Sequence, residues 1–207
     1  MSIAVHATRE GMQMEREIRY FAPEKIETRA DESGGKSLAG YAAVYERDSE
    51  LIWGEFIERI DPGAFKRTLE AGRDIKAFWN HNSDLVLGST RAGTLKLECR
   101  QDGLWFDLNL PRTTYGADAF ESVRRGDVAG VSFGFECRAH KWEKRQGVDV
   151  RTLLDVELYE VSPCAMPAYP DTSVAVRSLE QTRKEQESQD QNDMRRLYLA
   201  LTEREII

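Results

Sequence analysis

Cysteine and histidine are scarce in this chain, with three of each in 207 residues. The cysteines, Cys99, Cys137 and Cys164, are widely spaced and form no C-x-x-C pair. An odd count without a framework points to reduced thiols in a cytosolic compartment, not to a disulfide-stapled fold. So few Cys and His, without ligand spacing, argue against a structural zinc site, and no metal or organic cofactor is expected. Long apolar runs are also missing. No segment approaches the ~20 residues needed to span a bilayer. The opening MSIAVHATREGMQMERE lacks the apolar stretch of a secretory signal, so a cytoplasmic protein with no membrane role is expected. Positive charge is in deficit too: 29 Lys and Arg against 36 Asp and Glu give a formal net charge of -7. Nucleic-acid binding wants a basic face, so that class is disfavoured.

What remains is an ordinary soluble composition, 41% hydrophobic and 31% charged. The length suits one domain plus a tail. The first fifteen residues or so are polar and unpatterned, and read as a loose arm. Residues 16–177 read as the folded domain. After Ser178 the composition shifts: 180–193 is almost wholly polar, and 194–207 regains Leu197, Leu201 and Ile206 in a short amphipathic pattern. Residues 178–207 therefore read as a solvated, helix-capable tail.

Inside the domain, short strands dominate. Segment 16–21 reads as a strand and 27–36 as a polar loop. Strands are predicted over 37–46, with Gly40 a bulge or close-approach point, and over 53–60. Asp61-Pro62 should open a helix that runs through Leu69 and stops at Gly72. A short strand over 74–79 enters a polar turn, 80–84. Strands over 94–100 and 104–110 flank an Asp-Gly hairpin turn. Thr113 or Thr114 should cap a helix over 115–125 that ends at Gly126. Two further strands, 128–138 and 150–161, are joined by a charged turn at 143–147. The sum is mostly β with flanking helices, a barrel or sandwich of the α+β kind.

Chemistry has few candidates. His81 lies just past an apolar strand, and a strand end is a rigid place from which to aim a side chain. Taken alone, a turn histidine is more often a solvated surface residue. Ser132 stands in Gly130-Val131-Ser132-Phe133-Gly134-Phe135. Alternation puts Gly130, Ser132 and Gly134 on one face, nearly bare except for a hydroxyl. Such a face admits another backbone, such as a peptide, or serves as a tight packing site. A serine nucleophile needs a base, and the base needs a group to fix its tautomer. Glu157 and Glu160 are the candidates. Alternation groups Glu160 with Val156 and Leu158, and Glu157 with Tyr159 and Val161. A carboxylate in apolar surroundings needs a partner, and either Glu can meet that need by bonding His81.

A set of ordered pieces now carries a resemblance. They are Gly40-Tyr41-Ala42-Ala43-Val44-Tyr45, then Phe56 to Phe65 (FIERIDPGAF), then Phe78-Trp79-Asn80-His81-Asn82. Next come Gly130-Val131-Ser132-Phe133-Gly134-Phe135, Leu158-Tyr159-Glu160-Val161-Ser162-Pro163, and Pro167-Ala168-Tyr169-Pro170. Over about residues 38–176 the chain resembles the caudovirus prohead serine proteases, which are structurally similar to the herpesvirus assembly proteases. The resemblance implies a small closed β-barrel with helices around it. It implies His81 and Ser132 as catalytic residues and an acidic third member, placed at Glu160 with Glu157 as runner-up. It also implies action inside the procapsid in the host cytoplasm. The expected substrates are the scaffolding protein or the scaffolding domain of the major capsid protein, and the protease itself. Self-association is expected from the same resemblance, and the tail fits a removable or docking segment. For the oxyanion, the Phe133 and Gly134 amides and Arg124 or Arg125 are candidates.

Two other readings compete. A non-enzymatic scaffold of the same fold would suit the polar tail equally well, but it needs neither His81 nor Ser132. A cysteine hydrolase would use Cys137 or Cys164. Alternation puts Cys137 on the face opposite Ser132, Cys164 lies between prolines, and thiol-blocking reagents should leave a Ser132 enzyme active.

Overall fold

The computed structural model describes residues 4–7, 16–22, 26–166 and 173–204. The chain divides into two compact units, Met1–Asp171 and Thr172–Ile207. The first unit opens with strands β1 (Ala4–Ala7), β2 (Glu17–Phe21), β3 (Glu27–Ala30), β4 (Lys36–Val44) and β5 (Phe56–Ile60). Helix α1 (Lys66–Glu70) follows, then β6 (Lys76–Trp79), β7 (Asn82–Ser89), β8 (Leu95–Cys99) and β9 (Gly103–Asn109). Helix α2 (Thr114–Arg125) leads into the long strands β10 (Gly130–Arg145) and β11 (Val148–Cys164). The second unit is one helix, α3 (Ser173–Arg204), and no helix among the described residues is long and apolar enough to cross a membrane.

The strands form two sheets. One has seven strands, in the order β1-β10-β11-β6-β7, with β2 also on β10 and β5 also on β11; the other has four, in the order β3-β4-β9-β8. The fold is mostly β with a few helices, as expected, and its ladders make two sheets around a shared core. β10 and β11 form an antiparallel hairpin whose turn, Gln146-Gly147, holds both residues at positive φ. That backbone matches the right-handed strand twist, and Gly takes it freely. Between its pairings with β5 and β6, β11 is met by α1. Ala64 accepts from the Val156 amide, and Thr68 Oγ1 bonds Val156 O and the Leu158 amide, so the ladder groups there are satisfied.

Alternation fills the core. Leu104, Phe106 and Leu108 of β9 point inward while Trp105 and Asp107 do not. Across from them, Phe133 stacks on Phe135 at 5.3 Å and meets Phe65 edge-on at 5.6 Å. Such aromatic pairs add to the burial term through ring electrostatics.

A second centre is polar. Arg151 Nη1 lies 2.7 Å from Glu17 and 3.1 Å from Glu58, while Arg19 lies 2.6 Å from each of the same carboxylates. All four side chains are buried, and the group ties β2 and β5 to β11. Burial alone would raise the Glu17 pKa, but Arg151 and Arg19 together bring it down to about 2.

Several elements differ from expectation, each for a local reason. Part of the expected loop 27–36 is β3, whose polar residues pair with β4 at an exposed edge. Asp61 does not cap α1; its Oδ1 accepts from the Gly63 amide and makes a tight turn before the helix begins at Lys66. Most of the expected turn 80–84 is the start of β7, leaving a loop of two residues. Within the arm, Ala4–Ala7 forms β1 on β10, and residues 1–3 and 8–15 lie outside the described residues. The helix ends expected at Gly72 and Gly126 are observed, both glycines at positive φ, and Thr113 caps α2.

Replacing Arg151 with Met should leave Glu17 and Glu58 sharing Arg19 alone. The expected cost in a denaturant melt is about 3–5 kcal/mol, the usual result of breaking a buried ion pair from one side. Because the Glu17 pKa is depressed, its contribution is present above about 4.5 and is lost as pH falls toward 2. The Arg151→Met melt should therefore show a weaker acid dependence than wild type over that window.

Candidate active site

His81 is presented by a tight hairpin. β6 and β7 pair Trp79 with Asn82, so Asn80 and His81 are the two loop residues, at φ 50° and 60°. Asn and His tolerate this left-handed region better than most residues, but it still carries strain. The strain is held by anchoring: the Asn80 amide donates to Pro163 O, and the Ala165 amide donates to Asn80 Oδ1. The histidine loop is therefore clamped to the end of β11 on both sides of Cys164.

Ser132 lies near the start of β10, flanked by Tyr20 of β2 and Ser162 of β11, and is fully buried. Gly130 pairs with Cys164 and Gly134 with Glu160, so Glu160, Ser162 and Cys164 share the Ser132 face. The two glycines leave space, but that space is filled. A Cβ on Gly130 would collide with the Tyr20 ring, and one on Gly134 would lie 2.8 Å from Glu160 Cγ. The bare face is thus taken up by tight packing of neighbouring side chains.

The polar groups form two contacting sets. His81 Nδ1 is 3.1 Å from Glu160 Oε1, and Ser162 Oγ donates to Glu160 Oε2 at 2.9 Å. Ser132 Oγ is 3.1 Å from Cys164 Sγ. His81 Nε2 is buried and has no hydrogen-bond partner among the described residues. Burial pulls the His81 pKa down, but the Cys164 side chain and the Glu160 carboxylate outweigh it and raise it to about 9. Burial would raise the Glu160 pKa, yet its bonds to His81 and Ser162 hold it below the usual carboxylate range. At neutral pH this is an imidazolium–carboxylate pair beside a buried hydroxyl.

The other candidates fall elsewhere. Glu157 does not meet His81; it is fully buried under Arg67 at 2.9 Å, Arg73 at 2.8 Å and Arg138 at 3.6 Å. The face assignments of both glutamates change for one reason. The ladder pairs Gly134 with Glu160 but Phe135 with Leu158, so Tyr159 is an extra residue in a bulge. The bulge turns Glu160 away from the core face that Val156 and Leu158 share. Cys137 is buried beside His140, and burial pushes its thiol up to about 12, so it is inert as a nucleophile. Arg124 is ion-paired to Glu121 and Arg125 to Asp127, all exposed. Phe133 and Gly134 lie on a strand paired on both sides, which engages their backbone. Ser162 and Tyr20 were not anticipated, and Cys164 was weighed only as an alternative nucleophile. Cys164 and Ser162 had a signal in the alternation of Glu160, Ser162 and Cys164.

A serine, a histidine and a carboxylate gathered at one end of a mostly-β fold place the protein among candidate serine hydrolases. A family model described as caudovirus prohead serine protease matches residues 24–186, and the chain belongs to that family of phage capsid maturation proteases. No curated protein matches the chain significantly. Among solved structures, the bacteriophage T4 capsid assembly protease aligns with a TM-score of 0.46 and 8% identity, covering 74% of this chain and 99% of that one.

Glu160→Gln should bring the His81 pKa down from about 9 toward the ordinary histidine value, read by NMR titration of the imidazole. Gly134→Ala should act in the same direction with the fold kept, because the new methyl displaces the Glu160 stem. An unchanged titration in both variants would mean that Glu160 does not set the His81 charge.

Proposed function

We propose that this protein is a serine endopeptidase that uses Ser132, His81 and Glu160 to mature a phage procapsid. The observation that carries the assignment is the His81 Nδ1–Glu160 bond, with Ser132 on the same sheet face as Glu160. The carboxylate fixes the tautomer that leaves Nε2 free to work on the serine.

In this mechanism the neutral form of His81 takes the Ser132 proton at Nε2 as Oγ attacks the scissile carbonyl. The C–N bond then breaks, the same proton goes to the leaving amine, and an acyl-enzyme remains. Water, deprotonated by His81, hydrolyses the acyl-enzyme and frees Ser132. Glu160 stabilises the imidazolium formed in each half, and Ser162 holds the second carboxylate oxygen so that the first stays on His81. Glu157 is assigned a structural role, as the anion under three arginines. The substrates are the scaffolding protein or the scaffolding domain of the major capsid protein, with self-cleavage as part of the programme, inside the procapsid. The α3 segment is the proposed removable or docking tail, and self-association remains part of this reading.

The test is co-expression of wild type, Ser132→Ala, His81→Ala and Glu157→Gln with the cognate capsid and scaffolding proteins, followed by intact mass spectrometry. Ser132→Ala and His81→Ala should lose cleavage by several orders of magnitude. Glu157→Gln should keep the turnover of its folded fraction. Full-length chains inside assembled shells with the wild-type protein present would overturn the reading in favour of a scaffold. With purified enzyme, kcat/KM should climb as pH rises toward about 9, because only neutral His81 accepts a proton. Glu160→Gln should lower the maximum and move that limb to lower pH.

A further inference from the structure

Ser132 and His81 do not bond each other in this structure; a thiol holds the serine instead. Cys164 Sγ is the group at hydrogen-bond distance from Ser132 Oγ, 3.1 Å away, and both side chains are buried. His81 Nε2, the atom that would take the serine proton, has no hydrogen-bond partner among the described residues. Cys164 cannot easily move aside. Its neighbours Pro163 and Ala165 are the two residues that clamp the Asn80-His81 loop through their backbone atoms. Its partner across the ladder is Gly130, and the space above that glycine is occupied by the Tyr20 ring. The backbone that positions the histidine thus also fixes the thiol against the serine.

From this geometry we propose that Cys164 is a positioning residue that sets the resting orientation of Ser132, holding its hydroxyl on sulfur and off His81 Nε2. The proposal rests on the reading of Ser132 as nucleophile. The hydroxyl must leave the sulfur before it can pass its proton to the imidazole. Either group can donate in the Oγ···Sγ contact. In the proposed resting state the hydroxyl is the donor, and removing that neutral hydrogen bond should speed acylation by about 3- to 10-fold. One consequence concerns thiol reagents. Any opening that admits a reactant to Ser132 also bares Cys164, 3.1 Å away, so sensitivity to a small thiol reagent does not mark a cysteine nucleophile here.

Diisopropyl fluorophosphate tests the proposal on the full-length protein. Ser132 Oγ forms a bond to phosphorus, the P–F bond breaks, fluoride leaves, and the hydroxyl proton goes to His81 Nε2. The rate of mass gain at the Ser132 peptide is compared for wild type, Cys164→Ala and Cys164→Ser across pH, with circular dichroism to confirm folding. On the alkaline plateau, where His81 is neutral in every variant, Cys164→Ala should label about 3- to 10-fold faster than wild type. Cys164→Ser, which keeps a hydrogen-bonding partner, should stay near the wild-type rate. A folded Cys164→Ala protein that labels at the wild-type rate or slower, or a folded Cys164→Ser protein that labels as fast as Cys164→Ala, overturns the positioning role and leaves the serine reading intact. Absence of label on wild-type Ser132 overturns both together.

Discussion

Gly134 faces Glu160 across the β10–β11 ladder, and the next pair is Phe135 with Leu158, so Tyr159 has no partner of its own. That one extra residue decides which way Glu160 points. Before it, Val156 and Leu158 sit on the core face; after it, Glu160, Ser162 and Cys164 line the outer face beside Ser132. A regular strand would have sent Glu160 into the hydrophobic core, where an ionised carboxylate is very costly. The bulge gives it His81 and Ser162 as partners instead. Bulges are common next to active sites for this reason: they re-aim a side chain without rebuilding the sheet.

The same hairpin needs a firm base, and its sides supply one. β2 reaches Ser132 through the Ser132–Tyr20 pairing and is fixed further along by Glu17 and Arg19 in the buried charge cluster. Four buried charges are poor value as net stability, since desolvation consumes most of the Coulomb gain. Their effect is on register. A slip of β2 by one residue would turn Glu17 and Arg19 to the wrong face and leave Glu58 and Arg151 mismatched, an error that a purely apolar contact would tolerate. The cluster therefore keeps Tyr20 beside Ser132. Arg16, stacked 4.3 Å over the Tyr159 ring, joins the same strand end to the bulge.

Much of this was legible in the sequence because it is local. The Asp-Gly turn, the Thr113 cap and the stops at Gly72 and Gly126 depend on a few adjacent residues. The long-range parts were not. Strict alternation misplaced Glu160, since a bulge depends on how two strands pair and leaves no mark within one of them. Part of 27–36 read as a loop because β3 is an exposed edge strand with little apolar pattern. Asp61-Pro62 had the form of a helix start, but the Asp61 side chain closes a turn and the helix begins later. His81 and Ser132 stood out because each is chemically rare in its setting. Cys164 was discounted for its proline neighbour, yet Pro163 lacks only an N–H; its carbonyl is free to hold the Asn80 amide.

The resting state of the site follows from counting donors and acceptors. With a pKa near 9, His81 is an imidazolium at neutral pH, and both ring nitrogens are then donors. Glu160 satisfies Nδ1, while Nε2 is buried without a well-formed hydrogen bond among the described residues, and the nearby Cys164 side chain also favours the charged ring. Leaving a charged donor unmet in a buried place is unfavourable, so this arrangement is tense at Nε2 while it is well satisfied at Nδ1. In the proposed mechanism an acyl-transfer intermediate removes that tension. It places an oxygen near Nε2 and makes the protonated ring the form that is needed, because the proton must go to the leaving group. The charge that Cys164 and Glu160 together favour on His81 therefore opposes the first proton transfer of the proposed mechanism and assists the second. On the proposed mechanism such a site is slow to start at neutral pH, with the serine resting against the Cys164 sulfur.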